Sequence, residues 1–192
     1  MTRFFQAAAV SALIAGCASA PPAPPQEAFF AAVRAHCGNA YAGRLVTGEA
    51  ADADMAGASL VMEVRACSDD EIRIPFHVGE DRSRTWVLTR TADGLRLKHD
   101  HRHEDGSEDT LTQYGGDTAS AGTPSRQEFP ADQFSKDLFL REGRAVSVVN
   151  VWAVEIDAAR FAYELRRPNR HFRVEFDLTA PVANPPPPWG AD

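Results

Sequence analysis

The sequence predicts a mainly β protein of antiparallel strands with two short helices. Three observations predict this fold class. Runs of about six to ten residues with strand character follow one another, separated by turn residues. Apolar and polar residues alternate in several runs, as where Ile72 and Ile74 flank Arg73. Asp93-Gly94 stands between two such runs, and this dipeptide is a strong signal for a β-hairpin, so the strands on either side of it are expected to pair.

One helix is predicted before the strands and one late among them. The first is predicted over 26–36, because its apolar residues recur at helical spacing and Cys37-Gly38-Asn39 supplies a stop. The second is predicted over 130–141, with Gly143 ending it. The segment 115–125, rich in Gly, Ser, Thr and Asp, is predicted to be the loop that leads into the second helix.

Nine strands are predicted after the first helix. They are expected at 41–47, 59–66, 71–78, 85–91, 95–101, 110–114, 146–156, 160–166 and 172–178. Strands in consecutive order, with one helix before them and one inserted late, are typical of an antiparallel up-and-down barrel of the calycin type, which the chain resembles in architecture. A two-sheet sandwich of the same strands is the alternative.

The N-terminus is predicted to be an export signal. Arg3 precedes an apolar run that is too short to span a membrane as a helix. The run ends at Ile14-Ala15-Gly16-Cys17, which resembles the lipobox of bacterial lipoproteins. The resemblance implies that Cys17 is diacylated and becomes the mature N-terminus, and that Ala18 after it favours the outer membrane, where the protein would face the periplasm. The alternative is ordinary cleavage after Ala18-Ser19-Ala20, which would release a secreted or soluble periplasmic protein.

The rest of the chain is predicted to form a tether, one domain and a tail. Residues 1–16 are the signal peptide, and residues 17–26 hold the lipidated cysteine and a proline-rich, extended tether. Residues 27–180 form a single β-rich domain of ordinary size, long enough to bury a core. The tail, 181–192, contains four consecutive prolines and is expected to be extended and largely unpacked.

The composition is acidic. The 192 residues carry a formal net charge of −7, and removal of residues 1–16, whose one charged residue is Arg3, leaves 19 basic and 27 acidic residues. Acidic domains bind phosphate backbones poorly, which argues against nucleic acid as a partner. The expected partner is the outer membrane, reached through the lipid.

Two cysteines remain besides Cys17. Cys37 and Cys67 are an even pair in an exported chain, which predicts one disulfide. Closing a loop of about 30 residues could contribute about 3 kcal/mol to stability. Two buried free thiols are the alternative, and no Cys-x-x-Cys motif indicates a thiol-redox role.

The barrel interior is the candidate binding site. Its predicted lining consists of large side chains on inward-facing positions, namely Ile74, Phe76, Trp86, Leu97, Trp152, Tyr163 and Phe172. Such an interior suits a lipid or another small apolar or amphipathic molecule, with His99 or an arginine at its polar end. The arginines considered for a carboxylate or phosphate group are Arg73, Arg82, Arg84 and Arg90. The same side chains also suit a solid core, which predicts instead an envelope scaffold or interaction protein.

A cluster of histidines predicts a second possible function, metal binding. His99, His101 and His103 fall on one face if the segment is a strand, with neighbours about 7 Å apart. Two of them with a third ligand from elsewhere could hold Zn²⁺ or Cu²⁺. The same composition also fits a solvated strand end, since no distant partners with the spacing of a zinc motif accompany it.

No motif of known catalytic chemistry is found. Neither Gly-x-Ser-x-Gly nor His-Glu-x-x-His occurs in the sequence. Tyr114-Gly115-Gly116-Asp117 is interpreted as a turn and not as a phosphate cradle, because no helix start follows it directly. The sequence therefore names no catalytic residue and favours a binding protein over an enzyme.

Overall fold

The computed structural model describes residues 22–191. Its helices are α1 (Pro25–Arg34) and α2 (Gln133–Arg141), with 3-10 helices at Ala50–Asp52 and Ala145–Val149. Its strands are β1 (Ala40–Leu45), β2 (Leu60–Glu63), β3 (Ala66–Cys67), β4 (Glu71–Val78), β5 (Asp81–Thr91), β6 (Gly94–His101), β7 (Tyr114–Asp117), β8 (Arg126–Pro130), β9 (Val151–Ile156), β10 (Arg160–Arg167) and β11 (Arg170–Val182). The predicted signal peptide, the lipidation site at Cys17 and most of the tether lie outside the described residues.

The strands form one antiparallel sheet that curls into a nearly closed up-and-down barrel. Its order is β7, β6, β5, β4, β2, β1, β11, β10, β9, β8, with β3 on the same side of β4 as β2. Most strands that follow one another in the chain are therefore paired in the sheet, and the first strand pairs with the last, placing Gly43 opposite Phe176. The predicted fold class is confirmed, with an architecture consistent with a calycin-like barrel. One continuous sheet rules out the two-sheet sandwich.

Helix α1 closes one end of this barrel. Its apolar face, Phe29, Phe30 and Val33, is fully buried. Arg90 of β5 reaches the same end, where its guanidinium lies 4.4 Å from the centre of the Phe30 ring and pairs with Glu27. The opposite end, where β6 finishes, is the mouth of the barrel.

The predicted disulfide is confirmed at the closed end. Cys37 and Cys67 are bonded and join the turn after α1 to β3. Within the described chain this bond ties the closing helix covalently to the sheet.

The barrel closes between β7 and β8 by close contact of their backbones and not by a β-ladder. A methyl group on Gly116 would lie 1.8 Å from the carbonyl oxygen of Pro130, so only glycine permits this approach. The N–H of Asp132 donates to the carbonyl of Gly115 at 2.9 Å, and the Ser135 hydroxyl accepts from the N–H of Gly115 at 2.7 Å. This seam fixes α2 beside the mouth.

Several predicted elements are confirmed and others are wrong. Strand β4 occupies the predicted residues, and β5 and β6 form the hairpin expected from Asp93-Gly94. The strand predicted at 110–114 is wrong, because β7 starts at Tyr114 and runs into the predicted loop. The strand predicted at 146–156 begins as a 3-10 helix instead, in which Val146 is 66% exposed. The short β3 and β8 go unrecognised by the sequence pattern.

The C-terminal tail is extended and mostly exposed, but three hydrogen bonds attach it to the barrel. Asn184 donates to the carbonyl of Gly38 at the closed end. Further along, Arg82 donates to the carbonyl of Pro187 at 3.0 Å, and the N–H of Trp189 donates to the carbonyl of Arg82 at 3.1 Å. The tail donates from Asn184 and Trp189 and accepts at Pro187, and Pro188 is buried.

Long charged side chains cover the outer face of β8 to β11. Glu164 is 1% exposed, and Arg126 and Arg173 donate to its carboxylate at 3.0 and 3.2 Å. Burial alone would raise the pKa of Glu164, but hydrogen bonds from Arg166, Arg126 and His171 outweigh it and hold that pKa at about 2. This face carries an ion-pair network centred on the buried Glu164.

Candidate binding site at the mouth of the barrel

Strands β5 and β6 bring aromatic and basic side chains together at the mouth. Trp86 stands opposite His99, and Arg84 stands opposite His101 one pleat nearer the open end. Residues two apart share a face of the sheet, so all four project inward. This placement confirms that His99 faces the interior.

Stacked rings form the floor of the mouth. The Trp86 indole lies nearly parallel to the Tyr163 ring, with centroids 4.3 Å apart, and to the Phe76 ring at 4.9 Å. Phe172 meets Tyr163 edge to face at 6.1 Å. Such pairs contribute about 0.5–1.5 kcal/mol each beyond the burial of their area, so the floor is well fixed.

A cavity of about 150 Å³, the interior cavity, lies over this floor. Its apolar wall includes Phe76, Trp86 and Phe172. Two guanidinium groups also line it: Arg84 pairs with Asp81 at 2.6 Å, and Arg170 donates to Asp52 at 2.7 Å. The cavity thus joins an aromatic surface to a charged rim, which suits a ligand with one apolar and one polar end.

His99 is held neutral by its surroundings. It is 2% exposed, and burial lowers its pKa to about 3. Its Nδ1 lies 3.0 Å from the carbonyl oxygen of Tyr114 and must donate to it, because a carbonyl can only accept. Its Nε2 therefore accepts the hydroxyl proton of Tyr163, at 2.7 Å. Both ring nitrogens are occupied, so the ring is a fixed part of the wall.

His101 and Tyr114 form the next polar pair toward solvent. The Tyr114 hydroxyl lies 3.1 Å from Nε2 of His101. Burial lowers the pKa of His101 to about 4 and raises the pKa of Tyr114 to about 12, so both side chains are neutral near pH 7. The pair presents hydrogen-bonding groups without net charge.

The predicted metal site finds no geometric support. His99 and His101 lie together, with ring centroids 6.4 Å apart, but His103 is exposed beyond the end of β6. Within residues 22–191 no group of three His, Cys, Asp or Glu side chains is placed to hold a metal ion. Zinc or copper binding stays a prediction.

A second cavity, the side chamber, of about 380 Å³ lies between the mouth and the segment that follows α2. It shares four lining residues with the interior cavity: His101, Tyr114, Tyr163 and Leu165. Its remaining lining comes from Asp109, Leu111, Phe139, Arg144, Ser147, Asn150 and Trp152. The two spaces are therefore adjacent.

The predicted lining residues are all buried, but only some of them line a cavity at the mouth. All of them are buried in one core: Ile74, Phe76, Trp86, Leu97, Trp152, Tyr163 and Phe172. Phe76, Trp86, Tyr163 and Phe172 line the interior cavity, and Trp152 lines the side chamber. Leu97 lies nearer the closed end and Ile74 lies on β4, and neither lines these cavities.

The four arginines that were predicted to bind a carboxylate or phosphate group lie in different parts of the barrel. Arg84 lines the interior cavity, whereas Arg90 lies at the closed end. Arg73 pairs with Glu71 and Asp100, and Arg82 binds the tail. Of the four, only Arg84 lines the interior cavity.

Sequence reasoning missed Tyr114, Arg144, Asn150 and Arg170. Each stands in or beside a segment interpreted as a turn or as an ordinary strand. A signal existed for Tyr114, since an aromatic residue before Gly115-Gly116 fits a short strand that approaches another backbone closely. The positions of Asn150 and Arg144 depend on how α2 packs, and nothing local in the sequence reveals it.

A larger cavity, about 600 Å³, lies beneath the segment between β1 and β2. It is lined mostly by glycine and alanine, so few side chains converge on it that could fix a ligand. The mouth is the better candidate site, because aromatic and polar groups meet there.

Comparisons add no relative that would identify the ligand. None of the helices in residues 22–191 is both long enough and apolar enough to cross a membrane. Searches against protein-family models, curated proteins and solved structures find no match to this chain.

Proposed function

We propose that this protein is an outer-membrane lipoprotein whose barrel binds a small amphipathic molecule at its mouth. One observation carries the binding part of the proposal: the Trp86 and Phe172 rings and the Arg84 guanidinium line the same interior cavity. Aromatic surface favours the apolar part of a ligand, and the charged and hydroxyl groups at the rim favour its polar part.

The size of the cavity limits the ligand. A dry apolar cavity of about 150 Å³ accepts a molecule of the size of benzene. The interior cavity has this volume. A single aromatic ring or a short alkyl chain therefore fits over the Trp86 floor, whereas a full phospholipid does not.

Binding is tested by native mass spectrometry of the full chain, purified from membranes of an exporting bacterium in mild detergent and without a histidine tag. The proposal expects a small organic adduct that is lost on denaturation. Replacing rim residue Leu165 by Trp fills the mouth and should abolish the adduct, whereas Val182→Trp, at a 38% exposed site, should retain it. A bare mass in the wild type would overturn the proposal in favour of an interaction protein, and a zinc- or copper-sized adduct would favour a metal protein.

The anchor is proposed from Ile14-Ala15-Gly16-Cys17 and is tested separately. Cells are labelled with a clickable fatty acid and fractionated. The native chain and the control Ser19→Ala should carry the label in the outer membrane, and Cys17→Ala should carry none. An unlabelled native chain that begins at Pro21 would establish ordinary secretion instead.

A further inference from the structure

We propose that the side chamber is an anion site that receives the carboxylate of a small aromatic acid, held by Arg144 and Asn150. This inference rests on the proposed binding function and specifies its ligand. The ring of that ligand would occupy the interior cavity, and its carboxylate would extend past the shared lining residues into the side chamber.

The first observation is a buried amide without a partner. Asn150 is 6% exposed and lines the side chamber. Its Oδ1 is buried and has no hydrogen-bond partner within residues 22–191. Buried polar groups are nearly always paired, because an unpaired one costs about 1–3 kcal/mol. That acceptor cannot bond to a carboxylate, but the NH₂ group of the same amide also has no hydrogen-bond partner within residues 22–191 and can donate to a carboxylate oxygen in the chamber.

The second observation is an uncommitted guanidinium. Most arginines of the described chain form ion pairs, and those that form none in residues 22–191 are Arg82, Arg144 and Arg167. Of these three, only Arg144, an exposed residue, lines a cavity at the mouth. A guanidinium presents parallel N–H donors that match the two oxygens of a carboxylate.

The remaining polar groups of the chamber are compatible with an anion. Ser147 offers a hydroxyl donor on the same wall. His101 and Tyr114 are neutral there, as described above. Asp109 is the one acid in the lining; its Oδ1 accepts from the N–H of Leu111 at 2.8 Å, and no ion pair joins it to Arg144.

A matched pair of probes tests the charge of the ligand. The wild-type full chain is titrated with 3-phenylpropionate and with 3-phenyl-1-propanol, and dissociation constants are taken from ¹H–¹⁵N spectra. These probes share the ring and the spacer and differ in the carboxylate. A charge-assisted hydrogen bond is worth about 1.5–3 kcal/mol, so the acid should bind at least about tenfold more tightly than the alcohol.

Variants locate the anion site. Arg144→Gln should weaken binding of the acid about tenfold or more and change binding of the alcohol less than about twofold. Arg141→Gln, an exposed arginine on α2 that does not line the chamber, is the control and should change neither. Asn150→Ala should also weaken binding of the acid. It should not lower the Tm of the protein, because the amide has no hydrogen-bond partner to lose.

The outcomes separate the two proposals. Equal affinities for acid and alcohol, or an Arg144→Gln variant that behaves like wild type, would overturn the anion site and leave the binding function standing. A loss of Tm in Asn150→Ala would reassign that amide to a structural role and overturn its part in binding. Failure of both probes to bind would overturn the binding function itself.

Discussion

The hydroxyl of Tyr163 donates to Nε2 of His99 across the barrel interior, at 2.7 Å, while the carbonyl of Tyr114 accepts from Nδ1 of the same ring. This relationship links β10 to β6 and β7 through one neutral imidazole. It sets the wall of the interior cavity, because Tyr163 also stacks on Trp86.

Removal of the Tyr163 hydroxyl should destabilise the fold. Tyr163→Phe leaves Nε2 of His99 buried without a donor, which should lower the free energy of unfolding by about 1–3 kcal/mol. Tyr41→Phe is the matched control. The Tyr41 hydroxyl lies 2.7 Å from Nδ1 of His36, and because His36 is half-buried, water can replace the lost hydroxyl. The loss in the free energy of unfolding should therefore be below about 1 kcal/mol. Urea unfolding measures both, and equal losses would contradict the structural importance of the His99 contact.

The buried histidines should make the protein less stable in acid. Burial lowers the pKa of His99 to about 3 and that of His101 to about 4, below the ordinary value near 6.5. Between pH 6.5 and about 4 the unfolded chain therefore binds more protons than the folded one. The stability that the two neutral histidines contribute is fully present above pH 6.5. The free energy of unfolding then falls with decreasing pH, by up to about 1.4 kcal/mol per pH unit for each histidine.

The slope of stability against pH from pH 6.5 to 4.5 checks this expectation. His99→Gln should reduce the slope by the equivalent of about one bound proton. Glu164 is a separate acid-sensitive group, because its pKa is lowered to about 2 and its contribution is lost only below about pH 4.5. An unchanged slope in His99→Gln would mean that this ring titrates normally.

The seam between β7 and β8 should tolerate no side chain at Gly116. Gly116→Ala places a methyl group against the carbonyl of Pro130, and overpacking of this kind costs about 1–3 kcal/mol or more. Gly48→Ala is the control, since a methyl group there meets no atom within 4 Å. Hydrogen exchange should show faster exchange at Gly115 and Asp132 in Gly116→Ala alone. Normal protection in that variant would mean that the seam is looser than described.

Loss of the disulfide should weaken the closed end without changing the mouth. Replacing Cys37 and Cys67 by Ser removes a cross-link with a sequence separation of 30, which should lower the free energy of unfolding by about 3 kcal/mol. Probe affinity at the mouth should stay within about twofold of wild type, because α1 and β3 lie at the other end. A large loss of affinity would show that the two ends are coupled.

The sequence predicted the parts of the fold that local pattern controls. The alternation in β4 and the Asp93-Gly94 turn between β5 and β6 suffice to place that half of the barrel. It failed at β7 and β8, where two glycines and a short polar run become strands through pairing with β6 and β9. Strand formation there depends on partners distant in the chain, which no local pattern encodes.

The candidate site also has a part that the sequence predicts and a part that it does not. The inward position of His99 and Trp86 follows from a strand period of two. The donor for His99, the unpartnered amide of Asn150 and the free guanidinium of Arg144 depend on where β10 and the segment after α2 pack. Sequence spacing carries no information on such contacts between separate elements.

The position of α1 bears on how the barrel would be oriented relative to the membrane. The helix begins at Pro25 and closes the end opposite His101, so a lipid attached at Cys17, about eight residues earlier, would hold the sealed end toward the bilayer. An extended linker of that length reaches at most about 29 Å. The mouth would then point away from the anchoring leaflet and take its ligand from the aqueous periplasm, which favours a water-soluble acid over a molecule drawn from the membrane.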